Sequence, residues 1–179
     1  YLNMVDDVMA GDRVIGMIHT QGGSRARPNL AQIGCAGRIT SYAETSDGRY
    51  LITLTGVCRF ATAGELPVQT PYRQVRADYE RFGHDLQPSE DDPGFDRDQL
   101  LRCLKAYLSR HMLDLDWSTA EAAPQEALIN SLCMGLPFDP PEKQALLEAL
   151  HLPDRREALC ALLTIDAAEP TEGGLPPVQ

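Results

Sequence analysis

The feature that most constrains this chain is a change of hydrophobic period partway along it. Up to about residue 85 apolar residues alternate with polar ones, as in a pleated strand; from about residue 96 they recur every three or four residues, as on one face of a helix. Between the two lies HDLQPSEDDPGF, with two prolines, a glycine, a run of acids and no period, which reads as a linker. The pattern predicts an α+β chain: a β-rich part over 1–85 with one short helix, a linker over 86–95, a helical part over 96–167, and a disordered tail over 168–179.

In the first part Leu2, Val5 and Met9 sit at helical spacing, and Gly11 follows where a left-handed cap would stand. RVIGMIH, Arg13 to His19, reads as a strand, and TQGGSRARPN after it as an exposed, mobile loop. GCAGRITSYAET from residue 34 reads as a strand whose glycines mark a bulge or a close backbone approach; Ser46-Asp47-Gly48 gives a hairpin turn, and RYLITLTGVCRF the return strand. Tyr50, Ile52 and Leu54 then share one face and Leu51, Thr53 and Thr55 the other. Val75, Ala77 and Tyr79 alternate with Arg76 and Asp78 in a further strand, which gives a small antiparallel, barrel-like sheet.

In the second part Asp96 with Gln99 caps a helix with the stripe Leu101, Leu104, Leu108 and Met112. Ser118 with Glu121 repeats the capping logic, and Pro124 opens a helix lined by Leu128, Leu132 and Leu136. Asp139-Pro140-Pro141-Glu142 opens another, and Asp154 with Glu157 the last, with Leu159, Leu162 and Leu163 inside. The expectation is a small bundle of four capped helices.

Charge narrows the partners. The net charge is −10; up to Asp85 there are nine Arg against nine acids, and after it seven basic residues against seventeen acids. Nucleic-acid binding needs basic residues gathered on one face, so the balance argues against it, although Ser24-Arg25-Ala26-Arg27 adds local positive charge. No apolar run is long enough to span a membrane, and YLNMVDDVMAGD has no export pattern, so the expected location is the cytoplasm; the chain starts at Tyr1 rather than Met, which leaves the true N-terminus unknown. Cys35, Cys58, Cys103, Cys133 and Cys160 are odd in number and form no C-x-x-C pair, which reads as small buried hydrophobes in a reducing compartment.

Catalytic chemistry finds little support. A phosphate-binding loop needs glycines before a lysine, yet Lys105 and Lys143 both fall inside helical patterns and read as solvated charges. Ser109 stands four residues after Lys105, but nothing around that lysine would desolvate it for a Ser-Lys dyad. His19, His84, His111 and His151 lack metal-ligand spacing, and His111 and His151 read as cations at helix C-termini. Glu90-Asp91-Asp92 reads as a solvated acidic linker rather than a catalytic carboxylate pair. The expectation is therefore no enzyme, with no catalytic, cofactor-binding or metal-binding residue and no cofactor.

Three segments, YLNMVDDVMAGDRVIGMI, IGCAGRITSYAETSDGRYLITLTGVCRF and INSLCMGLPFDPPEKQALLEAL, together resemble the N-terminal domain of Lon proteases in order and spacing, and the resemblance covers most of residues 1 to 165. It implies a PUA-like antiparallel β pseudo-barrel followed by a small α-helical bundle, used in the full protease to engage substrates and assist assembly. The ATPase and Ser-Lys protease parts are absent, so the chain looks like a stand-alone recognition module. The family's leading apolar strand has no counterpart before the first helix, and the Pro-rich acidic tail stands where an ATPase would continue. The expected partners are unfolded or partly exposed polypeptides and a separate protease, with self-association open and no membrane. A PUA-like RNA-binding module and a small-ligand binder are the alternatives. An exposed strand edge or an apolar groove would carry recognition; Leu136, Pro137 and Phe138 are candidate groove residues whose core packing is the competing reading. The substrate-binding residues are unknown from sequence.

Overall fold

The protein is described from a computed structural model, which covers residues 1–88 and 92–168. Contacts divide it into two compact units, residues 1–89 and 90–179.

The first unit opens with α1 (Leu2–Met9), followed by β1 (Val14–Met17), β2 (Thr20–Ser24), β3 (Arg27–Leu30), β4 (Ile33–Glu44), β5 (Tyr50–Glu65) and β6 (Val75–Asp78), and ends in a 3-10 helix over Glu80–Leu86. An antiparallel sheet runs in the order β1-β4-β5-β6, and β2 and β3 form a separate hairpin. The hairpin turn between β4 and β5 falls where Asp47-Gly48 places it, with Gly48 at φ 75°. Thr45 and Asp47 close the turn: the Thr45 Oγ1 hydroxyl donates to the Arg49 carbonyl at 3.0 Å, and Arg49 Nε donates to Asp47 Oδ2 at 2.8 Å. Register shifts at Ala36/Gly37 and Ile39/Ser41 supply the expected bulges.

Phe60 shows why two glycines stand in this sheet. Its ring lies over Gly16 and Gly34, and a methyl group on Gly34 would come within 2.7 Å of the Met17 carbonyl oxygen and 2.8 Å of Phe60 Cζ. On the sheet's other part Val5 of α1 is buried with Ile15 and Ile39. Two phenols fasten the same helix, Tyr50 Oη donating to Asp6 at 2.9 Å and Tyr72 Oη to Asp7 at 2.6 Å.

Two expectations for this unit are corrected. Gly11 is not left-handed; the Val8 carbonyl accepts from both Gly11 N–H and Arg13 N–H, and the chain reverses at Arg13, whose φ is 58°. The stretch from Thr20 is no free loop. It forms β2 and β3, bent by Gly22 and Gly23 at positive φ, and Arg73 holds it by donating from Nη1 to the Pro28 carbonyl at 2.7 Å while pairing with Glu65, which also meets Arg27 at 3.7 Å.

The second unit holds α2 (Arg97–His111), α3 (Trp117–Ala122), α4 (Gln125–Gly135), α5 (Pro140–Glu148) and α6 (Leu152–Ala168), five helices among the described residues rather than four. They enclose one core around Leu100, Leu104, Ile129, Leu146, Leu159 and Leu163, all essentially inaccessible to water. Asp96 caps α2 as expected, accepting from the Gln99 N–H at 2.9 Å, and the Glu142 carboxylate accepts from the Asp139 N–H at 2.8 Å to cap α5. The stripe of α2 is rotated from the expected one: Leu100, Leu104, Tyr107 and Leu108 are buried, whereas Met112 is fully exposed as the left-handed cap. Asp116, not Ser118, caps α3, accepting from the N–H groups of Ser118 and Thr119; the hydroxyls of Ser118 and Thr119, each donating to its carboxylate at 2.6 Å, do most to hold its carboxyl at about 2. Pro124 is the residue before the first turn of α4 rather than within it. Asp154 closes the start of α6 from inside, accepting from the His151 N–H at 3.1 Å.

Asp92 overturns the reading of the acidic stretch as solvated. It is buried, pairs with Arg156 at 2.7 Å, accepts from the Gly94 N–H and donates its own N–H to Gln125. Glu90, Asp91 and the expected tail from residue 169 onward lie outside the described residues.

Candidate recognition surfaces

Strand β5 is sixteen residues long, but β6 reaches it only between Ala61 and Glu65, and β1 meets β4 only between Cys35 and Arg38. Among the described residues Ser41–Glu44 and Tyr50–Thr53 therefore pair with each other alone, as a two-stranded ribbon leaving the sheet with both outer edges open. The expected alternation shows at Tyr50 and Leu54, whereas Ile52, expected on their face, is exposed. Tyr50 and Leu54 pack toward α1, while Leu51, Thr53 and Thr55 stay exposed on the opposite face. Leu51 is 63% exposed, and Tyr42, Ile52 and Val57 are each more than a third exposed. Open strand edges with apolar side chains beside them are what an extended polypeptide needs in order to add a strand, backbone bonding supplying affinity and side-chain contacts selecting sequence.

The base of β5 is fixed by an ion pair that sequence reasoning missed. Arg59, 5% exposed, reaches Asp85 with its backbone N–H, its Nε and its Nη2, and its guanidinium lies 4.5 Å from the centre of the buried Phe82 ring. Burial pushes the Asp85 carboxyl up, but hydrogen bonds from the Arg59 side chain and backbone, with its charge, outweigh this and hold it below the usual carboxylate range. The 3-10 helix, whose His84–Leu86 end falls in the stretch read from sequence as linker, is thereby clamped to β5. His84 belongs to the same cluster, its Nε2 3.3 Å from Arg59 Nη2.

The other candidates fall apart in space or into the core. Leu136 and Phe138 are buried with Tyr107 and Leu132, so they pack the helical core, and Pro137 between them is exposed. Lys105 and Ser109 are both exposed, and no hydrogen bond joins them among the described residues. Lys143 donates to the Met134 carbonyl at 2.8 Å, ending α4. His111 stands at the C-terminus of α2, as expected, with Nε2 2.9 Å from Asp166 of α6, whereas His151 lies at the start of α6 rather than at a helix end. His19 lies near the start of the chain, between β1 and β2, half-buried. No group of three metal-ligating side chains converges among the described residues. All five cysteines are free thiols, Cys58 buried and the rest partly so; burial pushes the thiols of Cys58, Cys133 and Cys160 up, that of Cys133 to about 11. Arg27 is occupied by Glu65, which reduces the charge of the Arg25-Arg27 turn. No helix among the described residues is long and apolar enough to cross a membrane.

Solved structures with this fold include the Lon N-terminal domain protein from Xanthomonas campestris, 20% identical, with a TM-score of 0.59 over 90% of this chain and 82% of that one. The N-terminal domain of the Mycobacterium avium complex Lon protease is 13% identical, with a TM-score of 0.57 over 89% of this chain and 82% of that one. A comparison with curated proteins finds no match. The model of the substrate-binding domain of the ATP-dependent protease La (LON) matches residues 1–164, and the chain belongs to that family.

Proposed function

We propose that this chain is a non-catalytic recognition module that binds unfolded or partly exposed polypeptides in the cytoplasm, serving protein quality control by presenting them to a separate protease. The observation that carries the reading is the open β4–β5 ribbon, with exposed Leu51, Ile52 and Tyr42, in a chain of a substrate-binding family. Folded proteins keep both their strand edges and their large apolar side chains covered, so a surface offering both selects chains that have lost that cover.

Fluorescence anisotropy of a labelled, reduced and carboxymethylated protein, which stays unfolded without denaturant, tests this. Saturable binding that the folded parent protein does not compete for, weakened several-fold by Leu51→Asp, is expected. Equal binding of folded and unfolded forms, or none at high micromolar concentration, would sink the reading.

A further inference from the structure

The helical unit is strongly acidic, yet two of its cations, side by side, have no partner among the described residues. Of the seven Lys and Arg after Asp85, Arg97 donates to the carbonyls of Ala120 and Ala123, Arg110 meets Asp166, Lys143 ends α4, Arg155 donates to Asn130 and Arg156 pairs with Asp92. Arg102 and Lys105 alone have no hydrogen bond or ion pair among the described residues. Both line one open groove of about 420 Å³ between α2 and α3, with Asp98, Leu101, Trp117 and Glu121.

The groove has a fixed apolar floor and a charged rim. Leu101 and Trp117 are half-buried and pack against the core of the unit, so the indole is held rather than free to swing. Asp98, Arg102, Lys105 and Glu121 are exposed. On α2, Leu101 and Lys105 are one turn apart, as are Asp98 and Arg102, so cationic heads flank the apolar strip along the helix. An ammonium and a guanidinium with no partner among the described residues, beside an indole, suit an anion that brings an apolar group with it. Asp98 and Glu121 repel a second negative charge, which restricts the fit to a single carboxylate.

We infer that this groove is a second polypeptide-binding site, taking an extended segment that presents one large apolar side chain next to a carboxylate side chain. The apolar group lies on Trp117 and Leu101, and the carboxylate meets Arg102 and Lys105. The groove is open to solvent, so the segment need not end in it. This rests on the reading of the chain as a polypeptide binder and adds the chemistry that the helical unit would select.

Trp117 is the chain's one tryptophan, so its emission reports this groove directly. The probe is an acetylated and amidated octapeptide of Gly and Ser holding one Phe-Glu pair, with Phe-Gln and Phe-Lys versions for comparison. A saturable emission change with Phe-Glu is expected, with Phe-Gln about tenfold weaker, since two screened ion pairs together amount to about one decade of affinity. The doubly substituted Arg102→Glu, Lys105→Glu chain, whose circular dichroism should match the parent because both positions are exposed, should lose Phe-Glu and gain Phe-Lys. Equal titration by Phe-Glu and Phe-Gln, an unchanged double variant, or no emission change would each overturn the assignment. So would an emission shift that grows with protein concentration alone, which would assign the groove to a second copy of this chain. If unfolded protein still binds while Trp117 stays silent, the groove fails and the proposed function stands; if unfolded protein does not bind at all, the function fails first.

Discussion

Replacing Gly34 with alanine places a methyl group 2.7 Å from the Met17 carbonyl oxygen, 2.8 Å from Phe60 Cζ and 3.2 Å from Ile18 Cβ. Neither close neighbour yields easily, because the carbonyl belongs to β1, which pairs with β4 at this point, and Phe60 is only 2% exposed. Forcing a methyl group into a packed core costs about 1–3 kcal/mol. The alanine also restricts the unfolded chain, which returns about 0.4–1 kcal/mol. With two rigid contacts the steric cost lies at its upper end, so a net loss of about 2 kcal/mol is expected. For a unit of 89 residues that lowers the melting temperature by about 10 °C. Gly56→Ala is the control: its methyl group would meet nothing closer than Cys35 Sγ at 3.8 Å, so it should be neutral or slightly stabilising. Thermal unfolding followed by far-ultraviolet circular dichroism, with hydrogen exchange over residues 14–60 to isolate this unit, makes the measurement. Phe60→Leu removes the clashing ring carbon and should recover part of the loss in the Gly34→Ala background, a favourable coupling above about 0.5 kcal/mol. If Gly34→Ala lies within 0.5 kcal/mol of the parent, roughly the error of such a comparison, the packing account of this glycine is wrong.

Asp85→Asn leaves the buried Arg59 without its charged partner and should destabilise the β-rich unit by about 3 kcal/mol. Because the folded carboxyl lies below its unfolded value of about 3.9, its contribution is complete above that pH and lost as the pH falls through the folded value, so the variant's stability should vary less with acid below about pH 5 in urea titrations. Met112→Gly should raise the urea midpoint of the helical unit, read from Trp117 emission with unchanged slope, because Met112 holds a left-handed φ of 53° with its side chain in water; the gain expected is about 1 kcal/mol. Asp96→Ala should lower the same midpoint by about 1 kcal/mol through loss of the cap on α2.

What was legible in the sequence was whatever short-range chemistry decides. Asp47-Gly48 placed the β4–β5 hairpin, and Asp139 with Glu142 placed α5, because turns and caps are built from residues a few positions apart. The face of α2 was misplaced by about one residue because Met112 counts as apolar and Tyr107 as half polar, whereas packing buries the Tyr107 ring against Phe138 and leaves Met112 to make the left-handed turn. The β2–β3 hairpin was illegible for the opposite reason: its own residues, two glycines and a proline among them, argue for a loop, and what holds it is Arg73, more than forty residues away. Asp92 and Arg59 belong to the same class, since nothing near either one in sequence announces Arg156 or Asp85. Of the recognition surfaces, the alternation along β5 was readable at Tyr50 and Leu54, but the open edges depend on how short β6 and β1 are. Lys105 read correctly as a helix charge; that it and Arg102, alone of the helical unit's cations, have no partner among the described residues is a property of where the other five cations point.

Helix α1 is eight residues long, too short to persist in water by itself, and it buries a single side chain, Val5. Its order is therefore borrowed from the sheet through that contact and the two phenol-to-carboxylate links. Its amides should exchange with solvent together, in one opening event that leaves the β4–β5 ladder intact. During each such event Ile15 and Ile39 lose their cover next to the point where the ribbon leaves the sheet. Protection of the α1 amides therefore gauges how firmly the strip made by Ile15 and Ile39 stays covered.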